Sequence, residues 1–119
     1  MDFPDKKELK GGLDIEFQIL VPSTRLDRTI SESAFRKRLD DVLSFVNRNY
    51  GGSTVDIEEG SYRFQGKIIK ERVAVVTVYA NKKVYNRMDE KLEKYLKEKK
   101  RNWDQDSMGF VYEGTLVMV

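Results

Sequence analysis

The succession of hydrophobic periods along this chain predicts an α+β domain with elements in the order β, α, β, β, α, β. Three observations carry that expectation. An alternating apolar segment begins near Leu13, two longer stretches place apolar residues at helical spacing, and between them lie two β-rich runs joined by a glycine turn.

Leu13, Ile15, Phe17, Ile19 and Val21 alternate with Asp14, Glu16 and Gln18, which is the period of a strand buried on one face; Pro22 ends it. After a polar loop, Thr29 and Glu32 have capping-box spacing, with Ser31 as a competing N-cap. Phe35, Leu39, Val42, Val46 and Tyr50 then recur as one helical stripe, so a helix is expected over 31–49, stopped by Gly51-Gly52. Residues 54–64 and 68–79 read as strands, the second containing the run Val73 to Val78. If Gln65-Gly66 forms a two-residue turn, Phe64 faces Lys67, Tyr62 faces Ile69, Gly60 faces Glu71 and Ile57 faces Ala74. Tyr85, Met88, Leu92, Tyr95 and Leu96 mark a second helix over 82–100. Glu90-Lys94 is a favourable pair within it, and Lys97, Lys99, Lys100 and Arg101 suit its C-terminal end. The segment 107–119 is apolar and β-prone, and Glu113-Gly114 leaves open whether it is one strand or two.

Two strand-helix-strand units in this order point to a ferredoxin-like βαββαβ sandwich, an antiparallel four-stranded sheet with both helices on one face. The single domain is expected over 13–119, behind a flexible lead-in over 1–12 whose few apolar residues cannot offset the entropy of ordering it. In the register above, Val55, Ile57, Ala74, Val76 and Val78 face the helices. Tyr62, Phe64, Ile69, Glu71, Val73, Val75, Thr77 and Tyr79 occupy the other face, which is too apolar for simple exposure. Self-association is the simplest cover, so a homodimer is expected, with Tyr62, Val73, Val75 and Tyr79 at the interface. A one-residue register slip, or the C-terminal segment lying over that face, would leave a monomer sufficient.

Composition narrows the chemistry. The 119 residues contain no Cys and no His, which removes the usual soft metal ligands, thiol nucleophiles and neutral-pH bases. No metal or cofactor is expected. The net charge of +2, from 22 basic and 20 acidic residues, gives little electrostatic reason to expect nucleic-acid or membrane binding. No apolar run spans a bilayer and the first residues lack a signal-peptide core, so a cytoplasmic location is expected. Richness in Lys and Glu without Cys also suits a thermophilic source.

Short motifs add little. Gly51-Gly52-Ser53-Thr54 follows a helix and lacks the Lys of a phosphate loop, so a helix cap is the better reading. Gly109-Phe110-Val111 shares part of an RNA-recognition signature without its basic residue. Asp104, Asp106 and Gly109 match a calcium loop that lacks its closing Glu. Asp56, Glu58 and Glu59 divide between two strand faces, as solubilising charges do. Glu71 is the most interesting ionisable residue, because an apolar sheet face would raise its pKa toward acid-base use; pairing with Arg63, Lys70 or Arg72 is the plainer alternative.

The pattern Tyr50-Gly51-Gly52-Ser53-Thr54-Val55, Gly60-Ser61-Tyr62, Gly66-Lys67-Ile68 and Glu71 resembles that of a group of small uncharacterised bacterial and archaeal proteins. These carry a Gly-x-Thr strand start, a Gly-x-aromatic, a Gly turn and a Glu, with a Gln before the last strand that Gln105 matches. Family members often have Trp where Tyr62 stands, and Phe-Pro where this chain has Asn49-Tyr50. The resemblance implies a ferredoxin-like domain and no established activity. If the pattern marks a site, Thr54, Tyr62, Glu71 and Gln105 are its polar members, suited to a small polar ligand; a glycine-shaped hairpin whose Glu and Gln satisfy internal hydrogen bonds is the structural alternative.

The expected function is therefore a non-enzymatic, self-associating binding or regulatory module. A small enzyme using Glu71 as acid or base in a pocket at a dimer interface, with Tyr62 or Gln105 orienting the substrate, is the alternative. Stacking of single-stranded nucleic acid on the sheet aromatics is the third reading.

Overall fold

The computed structural model describes residues 13–119, so the lead-in expected over 1–12 lies outside the described residues. Strand β1 (Ile15–Pro22) leads into a short ribbon of β2 (Thr24–Arg25) and β3 (Arg28–Thr29), then α1 (Glu32–Tyr50), β4 (Thr54–Phe64), β5 (Lys67–Ala80), α2 (Lys82–Asn102), β6 (Gly109–Tyr112) and β7 (Thr115–Met118).

Local chemistry explains the element boundaries. Ser31, not Thr29, caps α1: its Oγ accepts the Ala34 amide at 3.1 Å, while Thr29 is spent on the ribbon. Gly51, at φ +101°, closes that helix by donating to the Asn47 carbonyl. Asn81 caps α2 in the same way as Ser31 caps α1. Within α2 the ion pair is Glu93–Lys97 at 2.8 Å, one turn-position away from the expected Glu90–Lys94.

The main sheet has five strands in the order β4-β5-β1-β6-β7, each antiparallel to its neighbour. The expected four-stranded sheet is thus corrected. Glu113 and Gly114 both take positive φ, +48° and +83°, and fold the last segment into a hairpin that adds an edge strand. The β4–β5 register is the one the two-residue turn dictates, with Tyr62 opposite Ile69 and Gly60 opposite Glu71. Gln65 and Gly66 supply the positive φ angles that such a turn demands.

One face of the sheet meets both helices. Phe17, Ile19 and Val21 of β1, and Ala74, Val76 and Val78 of β5, pack with Phe35, Leu39, Val42 and Val46 of α1 and with Leu92 and Leu96 of α2. Each such side chain withdrawn from water contributes about 2 kcal/mol, and this shared layer holds the helices to the sheet. Asp41 joins the helices, accepting from the Tyr95 hydroxyl and from Lys99 at 2.9 Å. No helix among the described residues is long and apolar enough to cross a membrane.

One feature of the topology builds a site. Strand β1 pairs with β5 only from Ala80 to Val73, whereas β4 follows β5 down to Lys67. Beyond Val73 the β4–β5 hairpin therefore runs past the end of β1, and the β2–β3 ribbon comes against it there.

Candidate functional site

The contact between ribbon and hairpin turns on Thr24, which is 1% exposed. Its hydroxyl donates to Glu71 Oε2 at 2.8 Å. The Tyr62 hydroxyl, with one proton to give, sits against both the Leu26 carbonyl and Thr24 Oγ1, the latter at 3.2 Å. The Thr24 carbonyl accepts from Gln105 Nε2 at 2.8 Å and from Arg38 Nη1 at 2.9 Å. Arg38 Nη1 also donates to the Pro22 carbonyl at 2.8 Å, and its guanidinium lies over the Trp103 ring. One threonine thus ties together β4, β5, α1 and the loop that follows α2.

Beside this cluster, on the face away from the helices, opens a cleft of about 530 Å³. That volume is in the range of small-molecule sites. Leu20, Val73, Met108 and Met118 give it apolar walls, with Glu71, Tyr62 and Gln105 at its polar end. Two glycines keep it open. A Cβ at Gly60 would lie 3.1 Å from Val73 Cγ2, and one at Gly109 only 2.6 Å from Leu20 Cδ1. Among the acidic and basic side chains of the lining, three carboxylates, Glu71, Asp104 and Asp106, stand against one guanidinium, Arg63. In a chain of net charge +2 this is a local reversal of sign, and it favours a cationic ligand.

Three of the four expected polar members therefore meet: Tyr62, Glu71 and Gln105. Thr54 does not join them. It is exposed at the opposite end of β4, opposite Thr77 and about 20 Å along the strand from Gly60 at the usual rise per residue. Thr24 takes the place expected of it. Periodicity gives no hint of Thr24, which lies in what reads as a polar loop. Arg38 does leave a trace, being a charged residue on the stripe of Phe35, Leu39 and Val42. It is 6% exposed. Burial, with a smaller push from Arg25, lowers its guanidinium to about 10, while Glu71 and Asp104 act in the opposite sense; it stays protonated at neutral pH.

The expected interface set is dispersed. Tyr62 is committed to the ribbon and Val73 to the cleft. Val75 is only 8% exposed, and Thr77 is bonded by Gln18 Nε2 at 3.1 Å, so the centre of this face is already largely covered within the chain. Tyr79 remains exposed. The open apolar surface lies instead at the rims, at Leu26, Ile68, Leu116 and Met118.

No protein-family model matches the sequence, and no curated protein matches it. Solved structures do. A phage SAM lyase in complex with S-methyl-5'-thioadenosine superimposes with a TM-score of 0.68 at 14% identity, over 92% of this chain and 91% of that one. A phage SAM lyase in the apo state gives a TM-score of 0.58 at 15% identity, over 87% and 83%. At such identities the likeness is one of fold. The finding runs against the expected non-enzymatic binding or regulatory module, because both matched chains are lyases, and it accords better with the alternative of a small enzyme.

Proposed function

We propose that this chain is an enzyme that binds an S-adenosyl sulfonium in the cleft and cleaves it as a lyase. The observation that carries the reading is the cleft itself. It is apolar along its length and acidic at the Glu71 end, on a fold shared with a SAM lyase over nine-tenths of both chains.

The chemistry asks little of the protein. S-Methyl-5'-thioadenosine is what remains of S-adenosylmethionine when the bond from sulfur to the methionine γ-carbon breaks and its electron pair stays on sulfur. The γ-carbon then needs a new partner. In a lyase that partner is not water, and the substrate's own carboxylate oxygen can bond there, closing a five-membered lactone. No proton, water or co-reactant enters, and the products are the neutral thioether and α-amino-γ-butyrolactone. A chain without His or Cys is adequate to this reaction. Glu71 serves as the carboxylate facing the sulfonium, held in place by the Thr24 hydroxyl that donates to it. Tyr62 fixes the ribbon over the polar end, and the apolar walls exclude water from the γ-carbon.

Purified protein incubated with S-adenosylmethionine should release the thioether, and Glu71→Gln, which keeps the shape and removes the charge, should lower kcat/KM about 100-fold. A Glu71→Gln variant as active as the wild type would remove Glu71 from the mechanism.

The sheet order supports reading the fold as ferredoxin-like with β7 added at one edge. The glycine, aromatic and Glu of the hairpin pattern are then read as the open floor and polar end of the cleft. We also infer that a second copy covers the apolar rim. Leu116 and Met118 are 58% and 56% exposed, and both line the cleft, so a homo-oligomer, with a dimer its simplest form, would complete its wall. Light scattering at micromolar concentration should give a multiple of 13.9 kDa; a monomer contradicts this.

A further inference from the structure

We propose that Arg38 is a positioning residue, which holds Thr24 from behind so that the Thr24 hydroxyl in turn fixes Glu71 in the cleft. The inference rests on the lyase reading and extends it to a residue that does not line the cleft.

Four observations support the chain of contacts. Arg38 is buried, yet no carboxylate lies within ion-pair distance of it among the described residues. A buried cation without an ionic partner is costly, and an apolar side chain on this stripe of α1 would serve packing alone better. Both Nη1 hydrogen bonds go to main-chain carbonyls, those of Pro22 and Thr24, which flank Ser23 where the chain leaves β1 for the ribbon. The guanidinium is located by the Trp103 ring 5.2 Å away. Finally, Gln105 bonds the Trp103 and Thr24 carbonyls together, at 2.9 and 2.8 Å. Two elements distant in sequence, α1 and the loop after α2, therefore converge on one carbonyl. The side chain of that same residue donates to Glu71.

The linkage is directional. Arg38 fixes the main chain of Thr24, the main chain fixes its Oγ1, and Oγ1 holds one oxygen of the Glu71 carboxylate. Misplacing a catalytic group by about 1 Å costs on the order of 100-fold in rate.

The test uses the full chain with Arg38→Met, Arg38→Lys, Thr24→Val and the double variant Thr24→Val/Arg38→Met. Turnover of S-adenosylmethionine, affinity for S-methyl-5'-thioadenosine by calorimetry, and amide hydrogen exchange over 22–29 are measured on each. Arg38→Met should lower kcat about 100-fold while thioether affinity stays within about threefold, because the apolar walls are untouched. Arg38→Lys, which can still donate to the carbonyls, should recover part of the rate. The double variant should be no worse than the poorer single one, since both break one linkage. Should Arg38→Met fail to fold, Arg38→Lys and Thr24→Val carry the comparison. Unchanged kcat in a folded Arg38→Met, or losses that add in the double variant, overturns the proposal. If the wild type does not turn over the sulfonium, the lyase reading falls and exchange decides the strut. Protection over 22–29 lost in Arg38→Met supports it, and unchanged protection overturns it.

Discussion

At the scale of single residues, hydrogen-bond accounting separates what the fold needs from what it tolerates. The Tyr50 hydroxyl is buried with no hydrogen-bond partner among the described residues, against Phe17 on one side. Burial accordingly raises its pKa, with smaller contributions from Tyr85 and Asp89. Tyr50→Phe keeps the ring and removes the unpaired group, so the variant should be more stable by about 1 kcal/mol in urea denaturation. A loss of stability would mean that the hydroxyl has a partner after all. Thr24 is the contrasting case, since its hydroxyl and its carbonyl are both bonded. Its role was illegible in the sequence because every one of those partners is distant along the chain. Glu71 and Tyr62 were legible, since a two-residue turn fixes which residues share a face. Gln105 stood out only through the resemblance of the pattern.

Elements show where sequence periodicity succeeds and where it stops. Both helices, β1 and the β4–β5 hairpin follow from spacing and turn chemistry within a residue or two. The β2–β3 ribbon does not, because strands of two residues have no period to read. The last segment was ambiguous for a related reason: a Glu-Gly turn between apolar runs permits a hairpin without requiring one. The helix pair carries a prediction of its own. Tyr95 of α2 donates to Asp41 of α1; its burial, and secondarily that bond, raises its pKa, as burial does for Tyr50. In the unfolded chain both phenols ionise near pH 10. Their folded-state values are higher, so this stability is fully present below pH 10 and is lost as pH rises above it. The unfolding free energy from urea denaturation should hold between pH 8 and 9.5 and then fall, by about 2 to 3 kcal/mol at pH 11 for the two groups together. A flat profile to pH 11 would show that water reaches these hydroxyls in the folded chain.

For the whole molecule, an apolar second face and missing catalytic motifs, with neither His nor Cys, point toward a binding module, an expectation that the lyase neighbours run against. That expectation weighs the nucleophiles and bases an enzyme most often supplies itself. On the proposed reading, a sulfonium substrate brings both a charged leaving group and an internal nucleophile, so the protein needs only a carboxylate, a shaped apolar cleft and rigid supports. The apolar second face is expected from the sequence to need a second copy as cover, but most of its centre is covered within the chain and its opening is the cleft. No reading of one sequence could place that cleft, because it is formed where the ribbon and the loop after α2 close over the hairpin. The central claim meets its most direct test in the products formed from S-adenosylmethionine in oxygen-18 water, taken at early times and read by mass spectrometry. Sulfonium cleavage in this cleft predicts S-methyl-5'-thioadenosine in equal amount to an unlabelled α-amino-γ-butyrolactone; unchanged substrate, or a four-carbon product carrying the label on its γ-carbon, would contradict it.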